Sequence, residues 1–469
     1  MDLTTTHIDY DLTYASRTRC RDLYDGLAAV KAKTKTYLLQ HPNESDADYA
    51  MRLERAVLDP YIRKVITARQ AVLWRRGATR EVGNLVEYVE DVDLHGTHAD
   101  IFFERVALNA QVDGIAWVVA DYTRADIEPQ TRADELRAGM RPMFQLVPGA
   151  NVLDWDVGSD ERLNWAVVSE LAVAPRTQWG EAPEEVQRYR VWTRDEWFLY
   201  EDSGEGTQSE IDSGRHPVGE VPLVPFLGEG YSEYAGYPVC RDVAQHVVAI
   251  YNKWSDMDWF ERLCNHPIPY IISPEKPSPV DAGKGLWVQA AQGISVAVGY
   301  LEPTGVAFDS SRESIRELQA KIYSLSLAQA YRDTKQVQSA DSLREDRRIF
   351  TSSLEGVSRQ YESREAQCWE YMGAWAGQTP SVEVVYDRDF DDSVIEATML
   401  SALADIVDRG LLTRRSFLEL LRRSDIWDGD VEDELNQIET EARDRAGSAA
   451  TDALVRLREL ERGEDNAEL

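Results

Sequence analysis

Residues 326–376 read SLAQAYRDTKQVQSADSLREDRRIFTSSLEGVSRQYESREAQCWEYMGAWA. The first part, 326–340, is polar and keeps no clean period. The rest sets Leu343, Phe350, Leu354, Val357, Tyr361, Cys368, Met372 and Trp375 at steps of 7, 4, 3, 4, 7, 4 and 3. Those steps define one stripe of a single very long helix. It is expected to end at Gly377-Gln-Thr-Pro380, with Ser381–Tyr386 following as a strand. A heptad-like stripe is equally the mark of a plain bundle core, so its meaning depends on its neighbours.

Upstream, Val239, Val243, Val247, Ile250, Trp254, Met257 and Cys264 fall mainly on one helical stripe free of Pro and Gly. That helix is expected to stop at His266-Pro-Ile-Pro269. Between 270 and 308 the chain is punctuated by Pro and Gly and reads as β: Tyr270-Ile-Ile, Gly285-Leu-Trp-Val-Gln, Ile294–Tyr300 and Val306–Phe308. Ser310 or Ser311 is expected to cap the next helix, which carries Ile315, Leu318, Ile322 and Leu325. The order is therefore helix, β insert, helix, polar loop, very long helix, strand, and a helical acidic tail. The tail, from Asp387 on, carries 23 Asp/Glu against 11 Arg.

The first hundred residues are mostly helical. Ser45 is placed to cap a helix with Tyr49, Leu53 and Ala56/Val57, broken at Pro60. Val65, Ala68 and Val72 share a face of a second helix, and Asp100–Asp113 form a third, leading into the strand Ile115–Asp121. From 140 to 226 strands prevail, with Tyr189–Thr193 and Glu196–Tyr200 as a hairpin, Ser203–Gly214 as a polar loop, and the proline-bearing run Pro217–Phe226 as extended chain. The fold class is α+β, mainly helical.

The chain has 469 residues and a formal net charge of −32, which excludes a protein that grips polyanions over its whole surface. Nine lysines against 42 arginines, with abundant Asp, fit a high-GC genome or a salt-loving host, either of which accounts for part of the acidity. The cysteines, Cys20, Cys240, Cys264 and Cys368, form no CxxC and no disulfide framework, so a reducing compartment is expected. The acidic, polar start lacks a signal-peptide pattern, and no apolar run reaches the ~18 residues that a membrane span needs. No membrane association is expected.

Catalytic patterns are nearly absent. There is no GxSxG. Gly283-Lys284 is followed by Gly285 where a phosphate loop needs Ser or Thr. Gly204-Glu-Gly206 and Gly228-Glu-Gly230 lack a third glycine. His95 and His98 form an HxxH without an evident third ligand. Asp387-Arg-Asp-Phe-Asp-Asp392 is either a divalent-metal cluster or a set of acids stabilising a helix start, and Asp428-Gly-Asp430 lacks the other calcium-loop ligands. The expectation is no enzyme, no catalytic residue, no metal and no cofactor. The alternative from the enzyme side is a metal-dependent hydrolase using His95, His98 and the acids at 387–392.

Four stretches carry a family likeness. They are Tyr37-Leu-Leu-Gln-His-Pro42 with Glu44-Ser45, Tyr49, Arg52 and Arg55-Ala56; Ala150-Asn-Val-Leu-Asp-Trp155 with Leu163-Asn-Trp165-Ala-Val-Val; Gly219-Glu-Val-Pro-Leu-Val-Pro-Phe226; and Tyr300-Leu-Glu-Pro-Thr-Gly305. In this order they resemble the portal proteins of tailed double-stranded DNA viruses, in particular a portal-like family long catalogued as a domain of unknown function. The resemblance covers about residues 35–400. It implies a portal fold assembling into a ring, usually a dodecamer, at one capsid vertex of the virion, after assembly in the host cytoplasm; the alternative of the same class is another minor virion structural protein.

The parts implied are a wing at 1–237, a first stem helix at 238–265, a clip at 266–308, a second stem helix at 309–325, a tunnel loop at 326–340, a long wing or channel helix at 341–376, a wing strand at 377–390, and a helical acidic crown at 391–469. The implied partners are other copies of the chain, double-stranded DNA passing through the channel for packaging and ejection, the large terminase, a head–tail adaptor and the major capsid protein. Such a channel must let a polyanion slide, and an acidic bore does so because each Lys/Arg–phosphate contact adds affinity. Arg332, Lys335, Gln336 and Gln338 are the candidate DNA-contacting side chains of the tunnel loop, and Lys276 and Lys284 the candidate partner contacts of the clip. Of the thirteen Trp, Trp254, Trp259, Trp369 and Trp375 lie on long helices and are expected to serve as anchors between subunits.

Overall fold

A computed structural model describes residues 2–123, 139–173, 179–180, 182, 185–202, 207–265, 268–274, 286–289, 291, 297–301, 306–326 and 340–388, together with scattered residues between 403 and 443. The chain divides into two compact units, Met1–Arg388 and Asp389–Leu469.

The first unit begins with helices α1 (Ile8–Asp25), α2 (Leu27–Ala32), α3 (Asp46–Arg55) and α4 (Tyr61–Leu73). After β1 (Ala78–Glu81) come α5 (Ala99–Asp113), β2 (Ile115–Tyr122) and β3 (Pro142–Pro148). A run of strands follows: β4 (Val152–Val157), β5 (Leu163–Val173), β6 (Glu185–Thr193), β7 (Glu196–Asp202), β8 (Gln208–Arg215) and β9 (Leu223–Leu227), with the short β10 (Glu229–Gly230) and β11 (Gly236–Tyr237). Then come α6 (Arg241–Asn265), β12 (Ile268–Ser273), β13 (Leu286–Gln289), β14 (Ala297–Leu301), α7 (Val306–Leu325), α8 (Ala340–Trp375) and β15 (Glu383–Tyr386). In the second unit, α9 (Arg414–Arg423) precedes a helical stretch at 431–438, whose first turn is capped by Asp430 Oδ1 accepting from the Glu432 and Asp433 amides.

The centre of the first unit is β2, antiparallel to β3 on one edge and to β9 on the other. Seven of its eight residues are buried, because both its faces are covered. Ala116, Val118 and Ala120 point into a core with Phe103 and Val106 of α5 and Tyr361, Trp369 and Met372 of α8. Ile115, Trp117 and Val119 point the other way, against Trp155, Trp192 and Trp197 of the five-stranded meander β4-β5-β6-β7-β8. A third core joins α1, α4, α6 and α7 through Cys20, Ile62, Ile66, Val247, Ile250, Ile315 and Ile322.

The turn from α5 into β2 depends on Gly114, which closes α5 in a left-handed conformation with φ +90°. A Cβ there would lie 2.4 Å from the Gly236 carbonyl oxygen, so only glycine allows the two backbones to cross.

Several sequence expectations are corrected. Ser45 does cap α3, its side chain accepting from the Asp48 amide, but the helix closes at Arg55 and leaves Val57 exposed. On α4 the buried face runs through Ile62, Val65, Ile66 and Leu73, with Ala68 and Val72 only half-buried. Within the expected loop Ser203–Gly214 the chain adds β8, antiparallel to β7 with a register shift between Leu199 and Tyr200. Val306–Phe308 is not a strand: α7 already starts at Val306, so neither Ser310 nor Ser311 is its cap.

Candidate functional site

The span from α6 to α8 holds the parts on which a functional reading rests. α6 and α7 pack on each other, Ile315 and Ile322 joining the stripe of Val243, Val247, Ile250 and Met257. Arg312 reaches Glu261 at 3.4 Å between the two helices. Between them stand β12, β13 and β14 in the order β13-β12-β14, with β13 parallel and β14 antiparallel to β12. Tyr270 pairs with Gly299, and its ring lies over the position a Cβ of that glycine would take. Val298 and Tyr300 of the edge strand are 70% and 66% exposed.

The middle of α6 is held by the segment 37–52. Asn252 donates to the Tyr37 carbonyl at 2.7 Å and accepts from the Leu39 amide at 3.0 Å, so one amide side chain fixes the chain reversal on α6. Arg52, 3% exposed, donates to Glu44 Oε1 at 2.7 Å, to the Leu39 carbonyl at 2.5 Å and to Asp256 at 3.3 Å. His41 meets the same Asp256 at 3.1 Å. Burial disfavours the Arg52 cation, but Glu44 and Asp256 outweigh that and raise its pKa. The residues that carry the N-terminal likeness are thus a latch on α6. Their types were visible in the sequence, but their partner, about two hundred positions away, was not.

α8 is seated by a second buried network. Glu365 is fully buried and accepts from Arg80, from Tyr386 Oη at 2.5 Å and from Trp369 Nε1 at 3.1 Å. Arg80 also donates to Asp100 on α5. Burial and the Glu365 carboxylate together push the Tyr386 phenol far up. At the end of β15, Glu362 of α8 accepts from the Tyr386 amide at 2.9 Å and pairs with Arg388, while Arg76 holds Asp387 at 2.9 Å.

The residues proposed as a metal set have other work. His98 caps α5, its Nδ1 accepting from the Asp100 amide at 3.1 Å. His95 Nδ1 lies 2.7 Å from the Asp93 carbonyl, so it donates there. Asp387 is bound to Arg76, and positions 389–392 lie outside the described residues. Among the described residues no three His, Cys, Asp or Glu side chains are grouped to hold a metal ion. Cys20, Cys240 and Cys368 are buried free thiols, and burial pushes Cys240 up to about 12. Among the described residues no helix is long and apolar enough to cross a membrane.

Arg332, Lys335, Gln336 and Gln338 lie outside the described residues, as do Lys276 and Lys284. Of the four tryptophans expected as anchors between subunits, Trp369 is fully buried inside its own chain. Trp375 stacks on Tyr122 and donates to the Ala120 carbonyl at 2.8 Å. For these two the expectation is corrected, because β2 and β3 provide the pocket. Trp254 remains 41% exposed and Trp259 half-buried.

Residues 240–376, α6 through α8, match the family described as Domain of unknown function (DUF4055). The match covers under a third of the chain. No curated protein matches the chain. Among solved structures it is similar to a chain of "Neck of empty GTA particle computed with C6 symmetry", at 13% identity over 77% of this chain and 90% of that one, with a TM-score of 0.40. It is also similar to a chain of "Virion of native gene transfer agent (GTA) particle", at 12% identity over 85% and 98%, with a TM-score of 0.39. Scores of this size establish neither a shared fold nor a shared role.

Proposed function

We propose that the chain is a portal protein: a subunit of a dodecameric ring at one capsid vertex, through which double-stranded DNA enters and leaves the virion. The observation that carries this reading is the packed pair α6 and α7 bracketing a small β sheet and leading into the 36-residue α8. Repeated around an axis, such paired rods make a wall, and the chain as a whole carries a net charge of −32, the sign that repels phosphate. In this reading 1–237 with 377–390 form the wing, 238–265 and 309–325 the stem, 266–308 the clip, 326–340 the tunnel loop, 341–376 the long helix and 391–469 the crown. Lys276 and Lys284 then face the large terminase and the head–tail adaptor, Arg332, Lys335, Gln336 and Gln338 face DNA, and the wing meets the major capsid protein.

The test is the mass of the purified protein by light scattering, with negative-stain images. A closed annular particle of several subunits supports the reading. A monomer at high concentration overturns it, and a compact oligomer without a central hole points to another virion component.

A further inference from the structure

The meander β4-β5-β6-β7-β8 has two apolar faces. One packs on β2. The other carries Val167, Tyr189, Val191, Phe198 and Tyr200 at alternate strand positions. In that second cluster the one residue from outside the sheet is Leu3, 3% exposed. Leu3 belongs to a strap, residues 2–7. Its amide donates to Gln208 Oε1 on β8 at 3.0 Å, and the His7 amide donates to the Leu153 carbonyl on β4 at 2.9 Å. The strap thus crosses the sheet from one edge strand to the other. It covers the face only in part: Leu171 and Val173 of β5 continue the same face and are 60% and 58% exposed. Its charge also suits the place poorly. Gln208 stands opposite Asp202 on the ladder, and Glu210 opposite Tyr200, so Asp2 of the strap lies at an acidic edge. Burial raises the Tyr189 phenol, and Asp202 and Asp2 both raise it further. The cations nearby are engaged elsewhere. Arg215 of β8 pairs with Glu196, while Arg188 and Arg190 point to the other face, to Glu201 and to Glu170 with Asp121.

We propose that this outer face is a docking site for an extended segment of a partner protein, one that sets a leucine-sized side chain in the Leu3 seat and a lysine or arginine where Asp2 stands, and that residues 2–6 are its resident competitor. The strap shows the chemistry that the face accepts: an aliphatic anchor and a backbone amide for Gln208. The acidic edge shows what the strap lacks. A tethered strap acts at an effective concentration on the order of millimolar, so a free segment displaces it only by binding better. The opposite charge at Asp202 and Glu210, and contact with Leu171 and Val173, supply that advantage. The proposal does not depend on the portal reading.

The experiment uses the full chain as parent and as Leu3→Asp, with folding checked by circular dichroism. The probe is a fluorescein-labelled peptide of residues 2–7 carrying Asp2→Lys, titrated into the millimolar range and read by anisotropy. It is expected to bind the Leu3→Asp chain about tenfold more tightly than the parent, whose own strap holds the seat. The peptide with the native Asp2 binds about threefold more weakly than the lysine form, and that difference shrinks in roughly 1 M salt. A peptide carrying Leu3→Asp does not bind. The proposal is overturned if the folded Leu3→Asp chain takes the lysine peptide no better than the parent does, or if the native or the Leu3→Asp peptide binds equally well. It is also overturned if unseating the strap raises the mass of the variant above that of the parent in light scattering, because the occupant is then a second copy. The portal reading survives each of these results, since the particle formed by the parent decides it.

Discussion

Arg80 and Glu365 meet as a buried ion pair, their side chains 4% and 0% exposed, and so fasten β1 to the middle of the longest helix. The pair excludes water, and Tyr386 and Trp369 occupy the remaining acceptor sites of the carboxylate. Burial opposes the Arg80 cation, yet Glu365 and Asp100 hold its pKa above the ordinary arginine value. Glu365→Gln therefore leaves a buried cation with Asp100 alone, and is expected to cost about 3–5 kcal/mol. Arg80→Met with Glu365→Leu should cost clearly less than either single change. Urea unfolding of Glu365→Gln, Arg80→Met, Glu365→Leu and the double variant decides; a loss under about 1 kcal/mol for Glu365→Gln would contradict the account.

Asn252→Ala removes both bonds that tie Tyr37 and Leu39 to α6. The expected loss is about 1–3 kcal/mol. Hydrogen exchange should show the Leu39 amide losing protection while β2 keeps its own.

Gly114→Ala forces a Cβ into the Gly236 carbonyl at a φ of +90°. The strain and the displaced backbone together should cost at least about 2 kcal/mol. An unchanged melting temperature would refute the crossing.

His216 gives a pH signature. Its Nε2 donates to the Thr193 carbonyl at 2.9 Å, and its Nδ1 is buried with no hydrogen-bond partner among the described residues. Burial lowers its pKa from 6.5. The unfolded chain then takes up the proton first, so the contribution is fully present above about pH 6.5 and fades as pH falls through the lower, folded value. Stability measured from pH 8 down should decline more steeply for the parent than for His216→Gln; parallel curves would contradict the burial argument.

For the proposed tunnel loop, Arg332→Ala or Lys335→Ala in assembled rings should reduce the already weak retention of duplex. Each phosphate contact removed lowers the log–log salt slope by about 0.9. A slope unchanged in both variants would mean that neither side chain touches DNA.

How far the fold was legible varies with the kind of information each element uses. α5 into β2, α6 and α8 were readable because their periodicity and stop signals lie within the element. β8 was not: Gln208–Arg215 is polar and largely exposed, and it is a strand because β7 offers a ladder edge. Val306–Phe308 has strand-like residues but forms the first turn of α7, so the longer element overrides local preference. In the site, Glu44, Tyr49 and Arg52 stood out as residue types, but the reach of Arg52 to Asp256, and of Tyr37 and Leu39 to Asn252, is a tertiary matter. Glu365 gave no signal at all, since an acid on a long helix reads as solvent-facing until Arg80, 285 positions away, is brought against it.

The placement of β2 between two cores bears on how the chain is made. Its edge partner β3 is synthesised soon after it, but β9, Leu223–Leu227, comes about a hundred residues later. At roughly 5–20 residues per second a ribosome needs about 5–20 s to deliver that second edge. For that interval Trp117 and its neighbours form an apolar surface covered on one side at most. Slowing translation between codons 123 and 222 should therefore lower soluble yield, and extra chaperone should restore it, with no change in the finished protein.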